Sequence, residues 1–160
     1  MQDFTFYNPT RIIFGKGKIA AVADEVPRDA RVLVTYGGGS IKRNGVYEQV
    51  MAALSSHTVG EFGGIEPNPR YETLMKAVEK IRAEGWNYLL AVGGGSVIDG
   101  TKFIAAAVPY TAGDPWDIVA KGAPVNCAVP MASVLTLPAT GSEMNRFAVI
   151  SRNSTGDKLA

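Results

Sequence analysis

Tyr88 to Asp99 reads YLLAVGGGSVID, an apolar run broken by three glycines and a serine. From Trp86 to Val92 the apolar residues do not alternate with polar ones, which is how a strand covered on both faces reads. Gly93-Gly94-Gly95-Ser96 ends that strand, and a helix of small residues is predicted to run on to about Ala107. Strand, glycine turn and helix in direct succession form the repeating unit of a parallel sheet. A near copy stands upstream as VLVTYGGGSIK, Val32 to Lys42. Its strand is predicted at Arg31 to Tyr36, its turn at Gly37-Gly38-Gly39-Ser40, and helical spacing resumes over Val46 to Leu54.

Working outward, Lys18 to Val26 reads as a short helix stopped by Pro27, and Phe4 to Tyr7 and Arg11 to Phe14 as short extended segments around Pro9. Thr58 to Phe62 is a weaker strand closed by Gly63-Gly64 and the turn residues Glu66-Pro67-Asn68-Pro69. Over Arg70 to Glu84, Leu74, Ala77, Val78 and Ile81 make one apolar stripe, with Gly85 at the expected C-terminal cap. Pro109 to Asn126 reads as a long connection with a turn at Asp114 to Asp117. Ala128 to Leu137 reads as a strand interrupted by Pro130, followed by the Pro138 to Glu143 loop. Phe147 to Ser151 and Lys158 to Ala160 flank Asn153-Ser154-Thr155-Gly156, which has hairpin-turn chemistry. The predicted fold is α/β: a Rossmann-like parallel sheet flanked by helices, with a short β-hairpin at the C-terminal end. Residues 1–160 are expected to form one dinucleotide-binding domain, and a sequence that stops within a hairpin is expected to be a fragment of a longer protein.

The charge balance, 16 basic against 15 acidic residues, contains no block of like charge, so no nucleic-acid partner is expected. Neither a signal peptide nor an apolar stretch of the roughly 20 residues needed to span a bilayer is present, so no membrane association and a cytoplasmic location are expected. Cys127 is the single cysteine, which rules out an internal disulfide and points to a buried apolar filler.

Glycine turns at the carboxyl ends of neighbouring strands would face one crevice and could share one extended ligand. Three glycines permit positive φ and remove every Cβ from the approach of a phosphate, and a helix starting at Ser96 adds free N–H groups and its positive dipole end. Pyrophosphate is the matching occupant. The turns are not the fingerprint G-x-G-x-x-G, because Ile98 and Lys42 occupy the third glycine's place. Nor do they make a P-loop, since Lys102 comes one position late and Phe103 follows it.

Taken together, VGGGSVIDGTKFIAA, EFGGIEPNP, LTLPATGSE, TGDK and the opening FYNPTRIIFGKG resemble the iron-dependent alcohol dehydrogenase family, in its branch of butanol dehydrogenases and bacterial NADPH-dependent aldehyde reductases. The fold this implies is the N-terminal domain shared with dehydroquinate synthase. The resemblance implies that Gly93, Gly94, Gly95 and Ser96 wrap the pyrophosphate and that Asp99 lies toward the nicotinamide. It further implies cofactor contacts for Asn68, Thr136, Thr140 and Lys158, beside Gly37, Gly38, Gly39 and Ser40 of the first turn. NAD-using relatives carry an aspartate where this chain has Gly38. A carboxylate there would repel a 2′-phosphate, whereas Gly38, Ser40 and nearby Lys42 or Arg43 can accommodate one, so NADP is the expected cofactor.

The family's Fe²⁺ or Zn²⁺ is held by an aspartate and three histidines, and is expected only in a full-length protein with an all-helical second domain. His57, the one histidine, lacks that context and reads as a surface or packing residue. No catalytic or metal-ligating residue is assigned. The implied reaction is hydride transfer between NADPH and small aldehydes or alcohols, in a homodimer that pairs through the N-terminal segment, where Arg11 to Phe14 could add edge to edge. The alternatives are a nucleotide-binding or assembly module without catalysis, and a glycerol dehydrogenase or dehydroquinate synthase relative.

Overall fold

A computed structural model describes residues 3–5 and 7–160. Met1, Gln2 and Phe6 lie outside the described residues, and with Phe6 goes part of the extended segment expected at Phe4 to Tyr7. The central sheet has β1 (Arg31–Tyr36), β2 (Thr58–Phe62), β3 (Tyr88–Gly94) and β4 (Met131–Leu137), all parallel, in the order β2-β1-β3-β4. Helices α1 (Val22–Glu25), α2 (Val46–Ala53), α3 (Tyr71–Glu84), α4 (Gly95–Ala107) and α5 (Asp117–Ala120) connect and cover it. A separate antiparallel pair, β5 (Ile150–Arg152) and β6 (Asp157–Leu159), forms the hairpin.

The two-residue period of a strand explains why unbroken apolar runs are needed at the centre. Leu33, Leu89 and Ala91 face α3 and α4, while Val32, Val34, Leu90 and Val92 face α1 and α2, and all seven are buried. Each valine or leucine among them contributes about 1.5–3 kcal/mol by leaving water. The predicted stripe of α3 is buried residue for residue, and Gly85 closes it at φ 71°, a conformation glycine adopts without a Cβ clash. β4 begins after Pro130, which has no N–H to give the ladder but whose carbonyl accepts from Leu89.

Among the described residues, Arg11 to Phe14 pairs with no strand of this chain, and Ile12 and Phe14 are exposed. One expectation fails: Cys127 is exposed, because the segment after α5 runs over the surface before β4 begins.

One polar pair sits in the core. Thr35 on β1 and Thr101 on α4 are fully buried with hydroxyls 2.6 Å apart, and Thr101 donates to the Val97 carbonyl, leaving Thr35 to donate to Thr101. Thr101→Val leaves the Thr35 hydroxyl only the Leu90 carbonyl, 3.5 Å away, and is expected to destabilise by about 1–2 kcal/mol, whereas Thr35→Val/Thr101→Val is expected to lie within about 0.5 kcal/mol of the parent. Urea unfolding midpoints of both variants check this, and a double variant as unstable as the single would refute it.

Candidate functional site

Because β1 and β3 are neighbours, their glycine turns emerge side by side at the carboxyl end of the sheet. Between them lies an open groove of about 230 Å³, lined by Gly37, Gly38, Ile65, Pro67, Gly94, Gly95, Ser96, Val97 and Leu137. Both turns open onto one groove, as the repeat predicts. The reason glycine is required differs from the expectation, however. Of the six turn glycines only Gly39 has positive φ, at 84°; Gly37, Gly93 and Gly95 stand where a Cβ would crowd a neighbour, and Gly38 and Gly94 are under neither constraint within the chain.

The glycines differ in what surrounds them. Gly93 is buried in β3, where a Cβ would come within 2.6 Å of a Val97 methyl, so it seats the start of α4 and does not line the groove. A Cβ on Gly95 would meet the Thr140 hydroxyl, which lies over the first turn of α4. At Gly94 and Gly38 a Cβ would find room, and both line the groove. The helix begins at Gly95, one residue before Ser96, so the backbone N–H groups of its first turn open beside the groove.

The remaining candidates take up positions around this centre. Thr136 is the extra residue of a bulge: Gly93 pairs with Leu135 and Gly94 with Leu137, leaving Thr136 unmatched and exposed. Asn68 adopts φ 57° between Pro67 and Pro69, and its Oδ1 accepts from the Lys158 ammonium at 2.7 Å. Two candidates 90 residues apart thus meet. Asp99 accepts from the Ser142 hydroxyl and from the Val149 N–H at 3.1 Å, and the Lys102 ammonium stands 3.5 Å away. Ser40 is exposed beside Gly39.

Lys42 is drawn elsewhere. Its ammonium lies 2.9 Å from Glu61 and over the rings of Tyr36 and Tyr47, so of the two basic residues considered for a 2′-phosphate it is the one already engaged. Hydrogen bonds to Tyr36 and Glu61 raise its pKa above the ordinary lysine range. Burial works to raise the Glu61 carboxyl, but hydrogen bonds from Tyr47, Lys42 and Tyr36 outweigh it and hold the pKa low.

Ile65, Pro67 and Leu137 line the groove and Ser142 fixes Asp99, yet none stands out in the sequence. Their only legible signal is membership of the EFGGIEPNP and LTLPATGSE segments. The His57 Nε2 lies 3.1 Å from the Pro27 carbonyl, which can only accept, so the ring donates in a packing role, as expected. Among the described residues no group of three or more His, Cys, Asp or Glu side chains could hold a metal.

The family described as iron-containing alcohol dehydrogenase matches residues 9–160. The NADPH-dependent aldehyde reductase YqhD of Escherichia coli strain K12 is 60% identical, over 100% of this chain and 42% of that protein. The probable NADH-dependent butanol dehydrogenase 2 of Bacillus subtilis strain 168 is 51% identical, over 99% of this chain and 41% of its own length. The crystal structure of E. coli K-12 YqhD superposes with a TM-score of 0.95 at 60% identity, covering 98% of this chain and 41% of that one. The chain therefore spans about two fifths of the relatives it matches.

Proposed function

Because the chain belongs to the iron-containing alcohol dehydrogenase family, we propose that it is the cofactor-binding half of an NADP-dependent, metal-dependent alcohol dehydrogenase acting on small aldehydes and alcohols. The observation that carries this reading is the groove shared by the two glycine turns, where the absence of side chains at Gly38 and Gly94 leaves backbone against ligand space. The N–H groups opening α4, a helix of 13 residues, supply donors and a positive dipole end for a pyrophosphate. Gly94, Gly95 and Ser96 would hold that group, with Asp99 farther along α4 toward the nicotinamide. When bound, the cofactor supplies the hydride; this chain's residues bind and orient it.

The described residues do not fit the family's metal, whose ligation this reading assigns to the rest of the whole protein. Homodimer formation and a cytoplasmic location go with the same reading. Phe4, Tyr7 and Phe14, each at least 80% exposed, offer apolar surface for self-association. Among the described residues no helix is long and apolar enough to cross a membrane.

Titration with NADPH and NADH tests the cofactor, with nicotinamide emission as the readout. Tryptophan emission serves less well, since Trp116 is buried against Tyr71 and Trp86 packs over Gly60, both outside the groove wall. NADPH is expected to bind more tightly than NADH. Gly38→Asp has space for its Cβ and no positive φ to oppose it, so folding is expected to be unchanged. Its carboxylate is expected to weaken NADPH about tenfold by repelling the 2′-phosphate while sparing NADH. An equal effect on both cofactors would remove the support for a 2′-phosphate beside this turn.

A further inference from the structure

We propose that Lys42 favours NADPH over NADH indirectly, by neutralising Glu61 at the edge of the first glycine turn, and that it does not itself ligate the 2′-phosphate. This rests on the cofactor reading above and adds two positioning residues to it. Three facts place the carboxylate. Glu61 is the penultimate residue of β2, and β2 pairs in parallel with β1. Just beyond it, the Gly64 N–H donates to the Gly37 carbonyl at 3.0 Å and the Ile65 N–H to the Tyr36 carbonyl at 3.2 Å, binding the ends of both strands together. A Cβ on Gly63 would collide with the Tyr36 ring, so that ring lies directly over the turn leaving β2. Glu61 itself pairs with Val34, three residues before Gly37, and its carboxylate is held by the hydroxyl of Tyr36, the residue that leads into the turn.

In dinucleotide-binding α/β sheets an acidic side chain in such a position accepts the ribose 2′-hydroxyl of NAD, and a bare carboxylate there opposes a 2′-phosphate. Here the carboxylate is not bare. Oε2 accepts from the Tyr36 hydroxyl at 2.9 Å and from the Lys42 ammonium at 2.9 Å, and Oε1 accepts from the Tyr47 hydroxyl. The ammonium lies beside two rings, with the Tyr36 centroid 4.9 Å away and that of Tyr47 4.6 Å, while the side chain stays 42% exposed. A carboxylate and two π-faces hold the Lys42 ammonium on the Glu61 side of the cluster, which makes Glu61 its nearest charge partner. Glu61 and Lys42 sum to zero charge, and the two hydroxyls and the ammonium take three of the roughly four acceptor sites of the carboxylate. The net positive charge beside the turn then comes from Arg43, which is exposed and follows Lys42 directly.

A double-variant cycle on NADPH and NADH affinity decides between this and direct ligation. Lys42→Met keeps the aliphatic stem between the two rings and removes the charge; it is expected to weaken NADPH about tenfold and to leave NADH within about twofold. Adding Glu61→Gln removes the uncompensated carboxylate and is expected to restore NADPH to within about threefold of the parent. A double variant as weak as Lys42→Met would mean that the ammonium touches the phosphate, and would overturn the proposal. So would a Lys42→Met protein that binds NADPH normally. Should either variant unfold, Tyr47→Phe serves instead, with an expected loss of NADPH affinity alone of about threefold; no loss there is equally adverse. A parent protein that binds neither cofactor defeats the reading of the groove itself, an outcome distinct from failure of the cycle.

Discussion

Gly94→Ala is expected to fold as the parent does and to lose NADPH affinity on the order of 100-fold, which makes it the cleanest separation of stability from binding in this chain. Folding tolerates the methyl group for two reasons. The backbone at Gly94 is at φ −90°, ψ −168°, a conformation open to alanine, and an added Cβ meets only Leu137, at 3.7 Å. Binding does not tolerate it, because the same Cβ stands in the groove where the first amides of α4 would meet the pyrophosphate. Thermal unfolding and NADPH titration on the same preparation read the two effects separately. Gly93→Ala is the contrasting case: its Cβ would press on the branched Val97 side chain, so instability should accompany any loss of binding. If Gly94→Ala bound NADPH as the parent does, the groove could not be the pyrophosphate site.

Lys102→Met is expected to destabilise the fold by about 3 kcal/mol. From α4 the Lys102 ammonium reaches the carbonyl oxygens of Ser142 at 2.8 Å and Asn145 at 3.2 Å, and that of Phe147, as well as the Asn145 side-chain oxygen and Asp99. Its side chain is only 16% exposed and Ser142 is buried, so the Ser142 carbonyl would lose its donor without regaining water, while the exposed Asn145 and Phe147 would be released from the anchor. Burial draws its pKa below the usual lysine range despite the opposing charge of Asp99. Methionine keeps the length and apolar volume of the stem, so the loss isolates the charged head. The urea midpoint should fall, and the Val149 amide, which donates to Asp99, should exchange faster with solvent. A loss under about 1 kcal/mol would show that the loop from Ser142 to Phe147 holds itself.

Most of the scaffold is legible because it depends on short-range patterns. β1 and β2 have the predicted limits and the α3 stripe is the predicted one, each resting on runs of apolar residues whose period is fixed by backbone geometry. The adjacency of β1 and β3 follows from the repeated glycine turn. What escapes reading depends on distant partners. Whether Arg11 to Phe14 is a strand is decided by the presence of a neighbouring edge, and the exposure of Cys127 by the path of a long connection. The same holds at the site: Thr136 becomes a bulge through the register against Gly93 and Gly94. Lys42 reads as a surface cation in the sequence, and only the fold brings it to Glu61, 19 residues later. Residue types mark the groove, but their pairings come from three dimensions.

The hairpin at the end of the chain carries a consequence for the order of assembly. Its contacts converge on the entrance to α3: the Ser151 N–H donates to the Pro69 carbonyl, Glu72 accepts from the Asn153 and Ser154 N–H groups, and Lys158 reaches Asn68. Every one of these closes a loop of more than 80 residues, whereas β3 and α4 are contiguous. Long closures are entropically deferred until the intervening chain has compacted. The hairpin is therefore expected to dock after the sheet has formed, so that the Pro67 side of the groove, next to Asn68, is completed last.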